Sequence, residues 1–340
     1  MQKARNFLCI ALSFFALPIG AQTPTRGTLG ECFTSLDDLQ ATKLSDGLSG
    51  SRNYKITSKN DGDYVFRLLN LADSPEARRR EIAAAKYAGE NGVGPKIYFI
   101  SDEDASILME FVPGETLSSS RLRESGPFSA AIETLRNLHQ SKGELPEGQG
   151  ICKTIREQLD EAKRGEIPLP LDAVDQALKK LETLEEAFKD HPRVLCHADL
   201  HPLNMIMNHG HVQFIDWTCA SLDSLFVDLG SFALLNQVQD PDQMLTLYLG
   251  RSPSAEERKW LQMGQDLSKL RLFASLFPMT ETPLRDPRER QKELDQKLWD
   301  KDLLPLDHFI ALQGQGNLHP DQLQNASLAA LRAFLSEESL

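Results

Sequence analysis

Cysteine is scarce in this sequence, and the few cysteines present follow no disulfide or metal-binding spacing. The 340 residues contain five, an odd number, and no two form a Cys-x-x-Cys motif. A disulfide framework requires pairs, and a zinc ribbon requires closely spaced ligands. The sequence therefore indicates neither, and its cysteine usage fits a reducing compartment best.

Positive charge is also under-represented. Lysine and arginine number 37 against 49 aspartates and glutamates, which gives a formal net charge of −12. An acidic chain repels nucleic acid and anionic membrane surfaces unless a local basic patch offsets the charge. The densest basic run, at residues 78–80, is short and is better explained as a solvated helix face. We therefore expect no nucleic-acid partner.

Long hydrophobic runs are missing except at the N-terminus. Residues 7–18 are almost wholly apolar, follow Lys3 and Arg5, and precede small residues that suit cleavage. Residues 1–21 thus have the layout of a secretory signal peptide. The run is shorter than the roughly 20 apolar residues of a transmembrane helix, so we expect no stable membrane span. A misplaced start, an uncleaved anchor and a packed helix are the alternatives. The protein is exported if the signal is real and cytoplasmic if the start lies downstream.

The remaining chain is long enough for about two lobes. Five segments rich in β-branched or alternating residues predict strands at residues 42–46, 53–58, 64–69, 96–101 and 106–111. Asp61 and Gly62 supply the backbone conformation of a hairpin turn between the second and third. The next segment predicts a helix, capped by Asp73 or Ser74 and with Pro75 in its first turn.

From residue 127 onward the pattern becomes helical. Apolar residues recur at helical spacing in segments 129–140, 153–163 and 171–189, and again from residue 228 to the end. One short β interruption falls at residues 194–216. The sequence therefore predicts an α+β protein in which a small sheet-containing lobe precedes a larger helical one.

The β interruption concentrates oxygen ligands. An Asn-His-Gly turn at residues 208–210 closes a hairpin and brings its two ends together. Asn204 precedes the first strand of this hairpin and Asp216 ends the second, so an amide oxygen and a carboxylate are expected side by side, with Asp199 close by. Oxygen donors of this kind suit Mg²⁺ bridging phosphates. A further carboxylate that accepts a hydroxyl proton suits in-line phosphoryl transfer.

These residues resemble the catalytic motifs of a known family. His-x-Asp-x₄-Asn at 197–204 and Ile-Asp-Trp at 215–217 look like those of the choline/ethanolamine kinases and aminoglycoside phosphotransferases, the small-molecule branch of the protein-kinase-like fold. The resemblance implies a two-lobe α+β fold. A small N-terminal nucleotide-binding lobe at 27–113 would hold a five-stranded antiparallel sheet plus one helix. A larger, mainly helical C-terminal lobe at 114–340 would hold the catalytic loop and the acceptor site.

The resemblance also implies an activity and a role for each motif residue. The enzyme would use ATP and Mg²⁺ to phosphorylate a hydroxyl of a small molecule. Asp199 would be the catalytic base, and Asn204 and Asp216 would be the Mg²⁺ ligands. His197 and Asp228 would support the catalytic loop structurally.

A nucleotide site is implied in the N-terminal lobe. The glycine- and serine-rich residues 46–54 look like a phosphate-covering loop, whose backbone N–H groups can approach phosphate. Arg67 would neutralise phosphate charge, and Glu81 on the following helix would orient it. A hinge near residues 108–114 would meet adenine through its backbone. The implied nucleotide-binding residues are Ser49, Ser51, Asn53, Arg67, Glu81, Glu110 and Val112.

Two departures from the family pattern leave the acceptor open. Thr218 stands where choline and thiamine kinases carry an acidic residue, and no aromatic-rich cation pocket is evident. The aromatics that could contribute to one are Trp260, Phe273, Phe277 and Trp299, but aromatics at helical spacing more often form a core. The acidic composition favours a cationic acceptor, an amino alcohol such as choline or an aminoglycoside-like compound. The sequence does not predict the oligomeric state.

Two other functions remain as alternatives. A kinase-fold protein that binds nucleotide without transferring phosphate would be expected to lack a catalytic carboxylate, and Asp199 is present. A metal-binding hydrolase could use the cluster of histidines between His191 and His211, near Cys196, but no HExxH spacing occurs there. His139 is expected to be a packed core histidine.

Overall fold

The computed structural model describes residues 39–44, 50–101, 104–141, 148–314, 319 and 322–336. The chain divides into two compact units, one formed by residues up to 114 together with 213–218, the other by 115–212 and 219–340. The signal-like segment 1–21 lies outside the described residues. Among the helices that the structure describes, none has the length and apolar character needed to cross a membrane.

The first unit is built on a five-stranded sheet. Its strands are β1 (Gln40–Lys43), β2 (Arg52–Ser58), β3 (Gly62–Leu68), β4 (Ile97–Ile100) and β5 (Ser106–Glu110). They lie in the order β1-β2-β3-β5-β4, and every neighbouring pair is antiparallel. The predicted five-stranded antiparallel sheet is therefore confirmed, with strand bounds that differ from the sequence prediction by one to a few residues at most ends.

The alternation of β3 sets where its side chains go. Phe66 packs in an apolar cluster with Tyr54, Phe99 and Leu108, whereas its neighbour Arg67 projects from the opposite face, because successive strand residues alternate. The tight turn between β2 and β3 ends at Gly62, whose φ of +95° lies in the region that favours glycine.

Helix α1 (Pro75–Glu90) follows β3 as predicted. Ser74 is its cap, because the Ser74 side chain accepts a hydrogen bond from the backbone N–H of Ala77, and Pro75 occupies the first turn. Residues 213–218 belong with this unit because Phe214 N–H donates to the Val93 carbonyl at 2.8 Å. The stretch that carries Asp216 is therefore fixed to the same body as Arg67.

The second unit is mainly helical. Its helices are α2 (Ser125–His139), α3 (Ile151–Arg164), α4 (Leu171–Phe188), α5 (Leu225–Leu235), α6 (Pro241–Leu249), α7 (Ala255–Leu276), α8 (Arg288–Leu298), α9 (Leu306–Gln313) and α10 (Leu323–Ser336). Its short strands are β6 (Glu115–Thr116), β7 (Val194–Cys196), β8 (Met205–Asn208) and β10 (Ser221–Asp223), while β9 (His211–Phe214) runs from this unit into the first. The mainly helical C-terminal part is thus confirmed.

Two glycines allow α5 and α7 to pack with their backbones in contact. A Cβ on Gly230 would lie 2.2 Å from the carbonyl carbon of Gly264, and a Cβ on Gly264 would lie 1.9 Å from the carbonyl oxygen of Phe226. Both contacts are with backbone, so a side-chain movement could not relieve them. The crossing therefore fixes α7 rigidly against α5.

Replacing Gly264 with alanine should lower the free energy of unfolding by about 1–3 kcal/mol or more, because the added methyl group forces two helix backbones apart. Chemical denaturation measures the change. Gly126→Ala in α2 is the matched control, since a Cβ there meets nothing within 4 Å. Equal stability of the two variants would contradict the close packing of α5 and α7.

Candidate functional site

The loop after β7 is held in an unusual backbone conformation. Ala198 has a φ of +60°, which residues with a side chain adopt only when their surroundings impose it. Asp228, fully buried on α5, accepts the N–H of His197 at 2.8 Å and the N–H of Ala198 at 2.6 Å. One carboxylate thus fixes two successive peptide groups and directs the chain into Asp199.

Asp228 is itself held by a histidine. His139 Nε2 lies 3.0 Å from Asp228 Oδ2, and His139 Nδ1 lies 2.7 Å from the Tyr248 hydroxyl. His139 is only 1% exposed at its side chain. These contacts place His139 in a buried hydrogen-bond network beneath the loop.

The ligand types needed for a metal centre meet near this network. His139, Cys196 and Asp228 bring their ligand atoms within 4.8 Å of one another. Burial keeps the pKa of Cys196 well above its usual range, and its thiol donates to the Ser224 carbonyl. Because a metal-binding thiol must lose its proton, hydrogen bonding explains this group better than a metal does.

Among the described residues, three side chains contact the carboxylate of Asp199, and a fourth contacts its backbone. Arg271 Nη2 lies 2.7 Å from Oδ1, His201 Nε2 lies 3.7 Å from Oδ2, and Asn204 Nδ2 donates to Oδ2 at 3.4 Å and to the backbone carbonyl at 3.0 Å. The N–H of Asp199 donates to His197 Nδ1 at 3.3 Å. Burial alone would raise the pKa of the Asp199 carboxyl, but Arg271, with His201 and His197, outweighs it and lowers the pKa. The carboxylate form of Asp199 is therefore favoured.

The first unit has its own charged cluster, centred on Arg67. Its Nε donates to Glu81 Oε1 at 2.8 Å, its Nη2 to Asp216 Oδ1 at 2.9 Å and to Thr218 Oγ1 at 3.1 Å, and its Nη1 to Asn53 Oδ1 at 3.4 Å. Burial would lower the pKa of Arg67, but Asp216 and Glu81 raise it. Burial raises the pKa of the Glu81 carboxyl, which the guanidinium only partly offsets. Arg67 thus stays charged.

Asp216 is positioned by backbone and side-chain contacts together. Its φ is +62°, and Thr218 Oγ1 donates to its Oδ1 at 2.6 Å. Its side chain is 28% exposed, so the carboxylate is open to a ligand. Asn204, in the second unit, also has an oxygen available. Because its Nδ2 faces Asp199, its Oδ1 is the atom left to bind a cation. Carboxylate and amide oxygens are ligands that Mg²⁺ accepts.

The remaining predicted nucleotide residues are placed as follows. Ser51 is buried, and its hydroxyl has no hydrogen-bond partner among the described residues. Ser49 lies outside the described residues. Glu110 ends β5, its N–H donating to the Lys96 carbonyl at 2.8 Å, and Val112 is buried just beyond it. The unsatisfied buried hydroxyl of Ser51, just before β2, suits a polar ligand.

Two residues in these clusters were not assigned a role from the sequence. Arg271 lies in the middle of α7, where arginine suits an exposed helix face equally well, so no local signal marks it. Thr218 was noted only as a departure from the family pattern, and its contact with Asp216 is visible only in the structure.

Comparison with known proteins shows the family of the chain. The family model described as the phosphotransferase enzyme family matches residues 40–273. The chain belongs to this phosphotransferase family. No curated protein sequence matches the chain. The predicted relationship to choline/ethanolamine kinases and aminoglycoside phosphotransferases is confirmed, and the phosphotransferase is a small-molecule kinase.

Solved structures similar to the phosphotransferase show its fold. A choline/ethanolamine kinase family protein from Mesorhizobium loti has a TM-score of 0.59 at 18% identity, over 98% of this chain and 100% of that one. Plasmodium vivax ethanolamine kinase has a TM-score of 0.61 at 16% identity, over 87% of this chain and 94% of that one. A thermostable mutant of the aminoglycoside phosphotransferase APH(4)-Ia has a TM-score of 0.50 at 17% identity, over 89% of this chain and 99% of that one. The predicted protein-kinase-like two-lobe α+β fold is therefore confirmed.

Proposed function

We propose that this phosphotransferase moves the γ-phosphate of ATP to a hydroxyl of a small molecule, with Asp199 as the catalytic base. The environment of Asp199 carries the proposal. Its carboxyl group is kept ionised by Arg271 at 2.7 Å, and its loop is fixed by Asp228. A carboxylate on an immobile loop is the group that phosphoryl transfer requires to align an acceptor hydroxyl.

The Arg67 cluster supports the nucleotide-binding roles that we propose. Arg67 neutralises the phosphates of ATP, and Glu81 fixes the direction of its guanidinium, since the two side chains are in contact at 2.8 Å. The hydroxyl of Ser51 is buried without a described partner and is assigned to the phosphates. Ser49 and Asn53 complete the phosphate-covering loop, and the backbone of Glu110 and Val112 meets adenine.

Asn204 and Asp216 are assigned to Mg²⁺. Their amide and carboxylate oxygens fit this ion, which when bound neutralises charge on the phosphates. Asp199 then receives the proton of the acceptor hydroxyl as the acceptor oxygen bonds to the γ-phosphorus and the bond to ADP breaks. His197 and Asp228 hold the loop in place. Residues 27–113 act as the nucleotide-binding lobe and residues 114–340 supply the acceptor site.

The proposed acceptor is an amino alcohol such as choline or ethanolamine, or an aminoglycoside-like compound. The similar solved structures include an ethanolamine kinase and an aminoglycoside phosphotransferase. The net charge of −12 favours a cationic acceptor over an anionic one. Thr218 in place of an acidic residue separates this chain from the choline kinase pattern, so the acceptor panel must be wider than choline.

The test is ATP consumption by the purified full-length chain with and without Mg²⁺. The acceptors are choline, ethanolamine, thiamine, aminoglycosides, macrolides and simple sugars, with phosphorylated product identified by mass spectrometry. We expect Mg²⁺-dependent phosphorylation of one acceptor class. ATP binding without transfer to any acceptor would favour the nucleotide-binding alternative. A folded sample that binds no ATP would refute the nucleotide site.

A further inference from the structure

Arg271 is a buried cation whose two terminal nitrogens both have partners. It lies on α7 and is 5% exposed. Its Nη2 donates to Asp199 Oδ1 at 2.7 Å, and its Nη1 donates to Cys219 Sγ at 3.3 Å. The guanidinium therefore connects α7 with the catalytic loop and with the segment that follows Asp216.

The placement of Arg271 is poor for stability alone. Its Nε is buried and has no hydrogen-bond partner in the described part of the chain. Burying a guanidinium requires removing its water, and an ion pair with an unsatisfied donor often does not recover that loss. Arg67, by contrast, has partners on all three of its nitrogens. A role in the reaction explains Arg271 better than a role in folding.

The two oxygens of Asp199 are held unequally. Oδ1 has the short contact with Arg271, at 2.7 Å, whereas the nearest described contacts of Oδ2 are Asn204 at 3.4 Å and His201 at 3.7 Å. The Asp199 side chain is 22% exposed, whereas that of Arg271 is only 6% exposed. Fixing one oxygen of a planar carboxylate determines the direction of the other.

The support behind Arg271 is rigid. About two helical turns before it, Gly264 brings α7 into backbone contact with α5, close to Gly230. Helix α5 also carries Asp228, which fixes the backbone of the catalytic loop. The same pair of helices thus positions both the main chain and the side chain of the proposed base.

We infer that Arg271 is a positioning residue for phosphoryl transfer: it binds Oδ1 of Asp199 and thereby presents Oδ2 to the acceptor hydroxyl. The inference rests on the proposed role of Asp199 as base. The proton of the acceptor moves to Oδ2 while the new oxygen–phosphorus bond forms and ADP leaves. Arg271 itself transfers nothing and contacts neither the proton nor the phosphate in this scheme.

The test compares Arg271→Met, Arg271→Lys and the control Lys269→Met. Lys269 lies on the same helix, is equally buried at 5%, and pairs with Asp266 at 3.0 Å, so its loss reports the structural effect of removing a buried cation from α7. We expect Arg271→Met to lower kcat by about 30- to 300-fold, because a misaligned proton acceptor loses orientation. KM for ATP should stay within about threefold, and Arg271→Lys should recover at least about fivefold of the lost kcat.

Lys269→Met should lower the melting temperature and leave kcat per folded molecule within about threefold. In an Asp199→Asn background, Arg271→Met should have little further effect on kcat, because the two residues act as one unit. Unchanged kcat in Arg271→Met, or an equal loss in Lys269→Met, would overturn the inference. If Arg271→Met does not fold, Arg271→Lys decides: we expect kcat about 3- to 30-fold below wild type, and wild-type kcat would overturn it. Wild-type activity of Asp199→Asn alone would instead refute the proposed base.

Discussion

Asp199→Asn should lower kcat by at least about 10³-fold while leaving the affinity for MgATP within a few-fold of wild type. Asparagine has nearly the shape of aspartate, and its amide oxygen can still accept a hydrogen bond from Arg271. It cannot, however, take a proton from the acceptor hydroxyl. General-base catalysis contributes about 10²–10⁴-fold to typical rates, and loss of the carboxylate also removes the alignment of the acceptor.

The measurement is kcat from steady-state transfer to the acceptor found in the panel, together with calorimetric titration of MgATP. Asp242→Asn is the matched control, because Asp242 forms an equally short ion pair with Arg258, Nε to Oδ1 at 2.7 Å, at the surface. The control should retain wild-type kcat. Retention of wild-type kcat by Asp199→Asn would show that another group accepts the proton.

Comparing Asp199→Asn with Asp216→Ala should distinguish the role of the proposed base from that of the proposed Mg²⁺ ligand. Asp216→Ala removes a carboxylate that contacts Arg67 at 2.9 Å, and it should weaken the Mg²⁺-dependent part of ATP binding itself. Normal ATP affinity with lost transfer in Asp199→Asn, set against lost affinity in Asp216→Ala, is the pattern expected if the two aspartates have the proposed roles. Identical effects in both variants would contradict that division.

Asp228→Ala should cause the second large effect, a combined loss of stability and activity. The fully buried carboxylate is the acceptor for the N–H groups of His197 and Ala198, and it contacts His139. Removing it leaves two buried N–H donors without their acceptor, and each unsatisfied donor costs about 1–3 kcal/mol of folding free energy. It also removes the restraint on the positive φ of Ala198, so we expect the free energy of unfolding to fall by about 3–5 kcal/mol and kcat by more than about tenfold.

Urea denaturation and kcat measured below the melting transition test this expectation. Ala198→Gly provides the control, since glycine adopts a φ near +60° without strain. Alone, Ala198→Gly should be close to wild type, and combined with Asp228→Ala it should recover part of the lost stability. If Asp228→Ala left both stability and kcat unchanged, the loop would not depend on Asp228.

The fold was largely predictable because its signals are local. The hairpin before β3 follows from Gly62 and its neighbours, and the start of α1 follows from Ser74 and Pro75, whose capping geometry the structure shows. One predicted helix boundary was three residues too late because its capping residue lies before the predicted segment. Helix α5 begins at Leu225 and not at residue 228, because Ser224 caps it by accepting the N–H of Phe226.

The predicted site residues came from short motifs, which can be recognised in the sequence by the spacing of their residues. The predicted meeting of Arg67 and Glu81 appears as a contact of 2.8 Å, because a β-strand and the helix after it pack together in a small lobe. The assigned roles of these residues stay predictions until the variants are measured.

The sequence by itself determined the fold class, the family and the positions of the candidate base and ligands, since these depend on periodicity, turn chemistry and short motifs. Only the tertiary structure showed that Arg271, 72 residues away in sequence, donates a hydrogen bond to Asp199. It also showed that Thr218 contacts Asp216 and Arg67. For Arg271, the physical reason is the packing of α5 against α7. Gly230 and Gly264, which are distant in sequence, let the backbones of the two helices touch, and no local pattern encodes that contact.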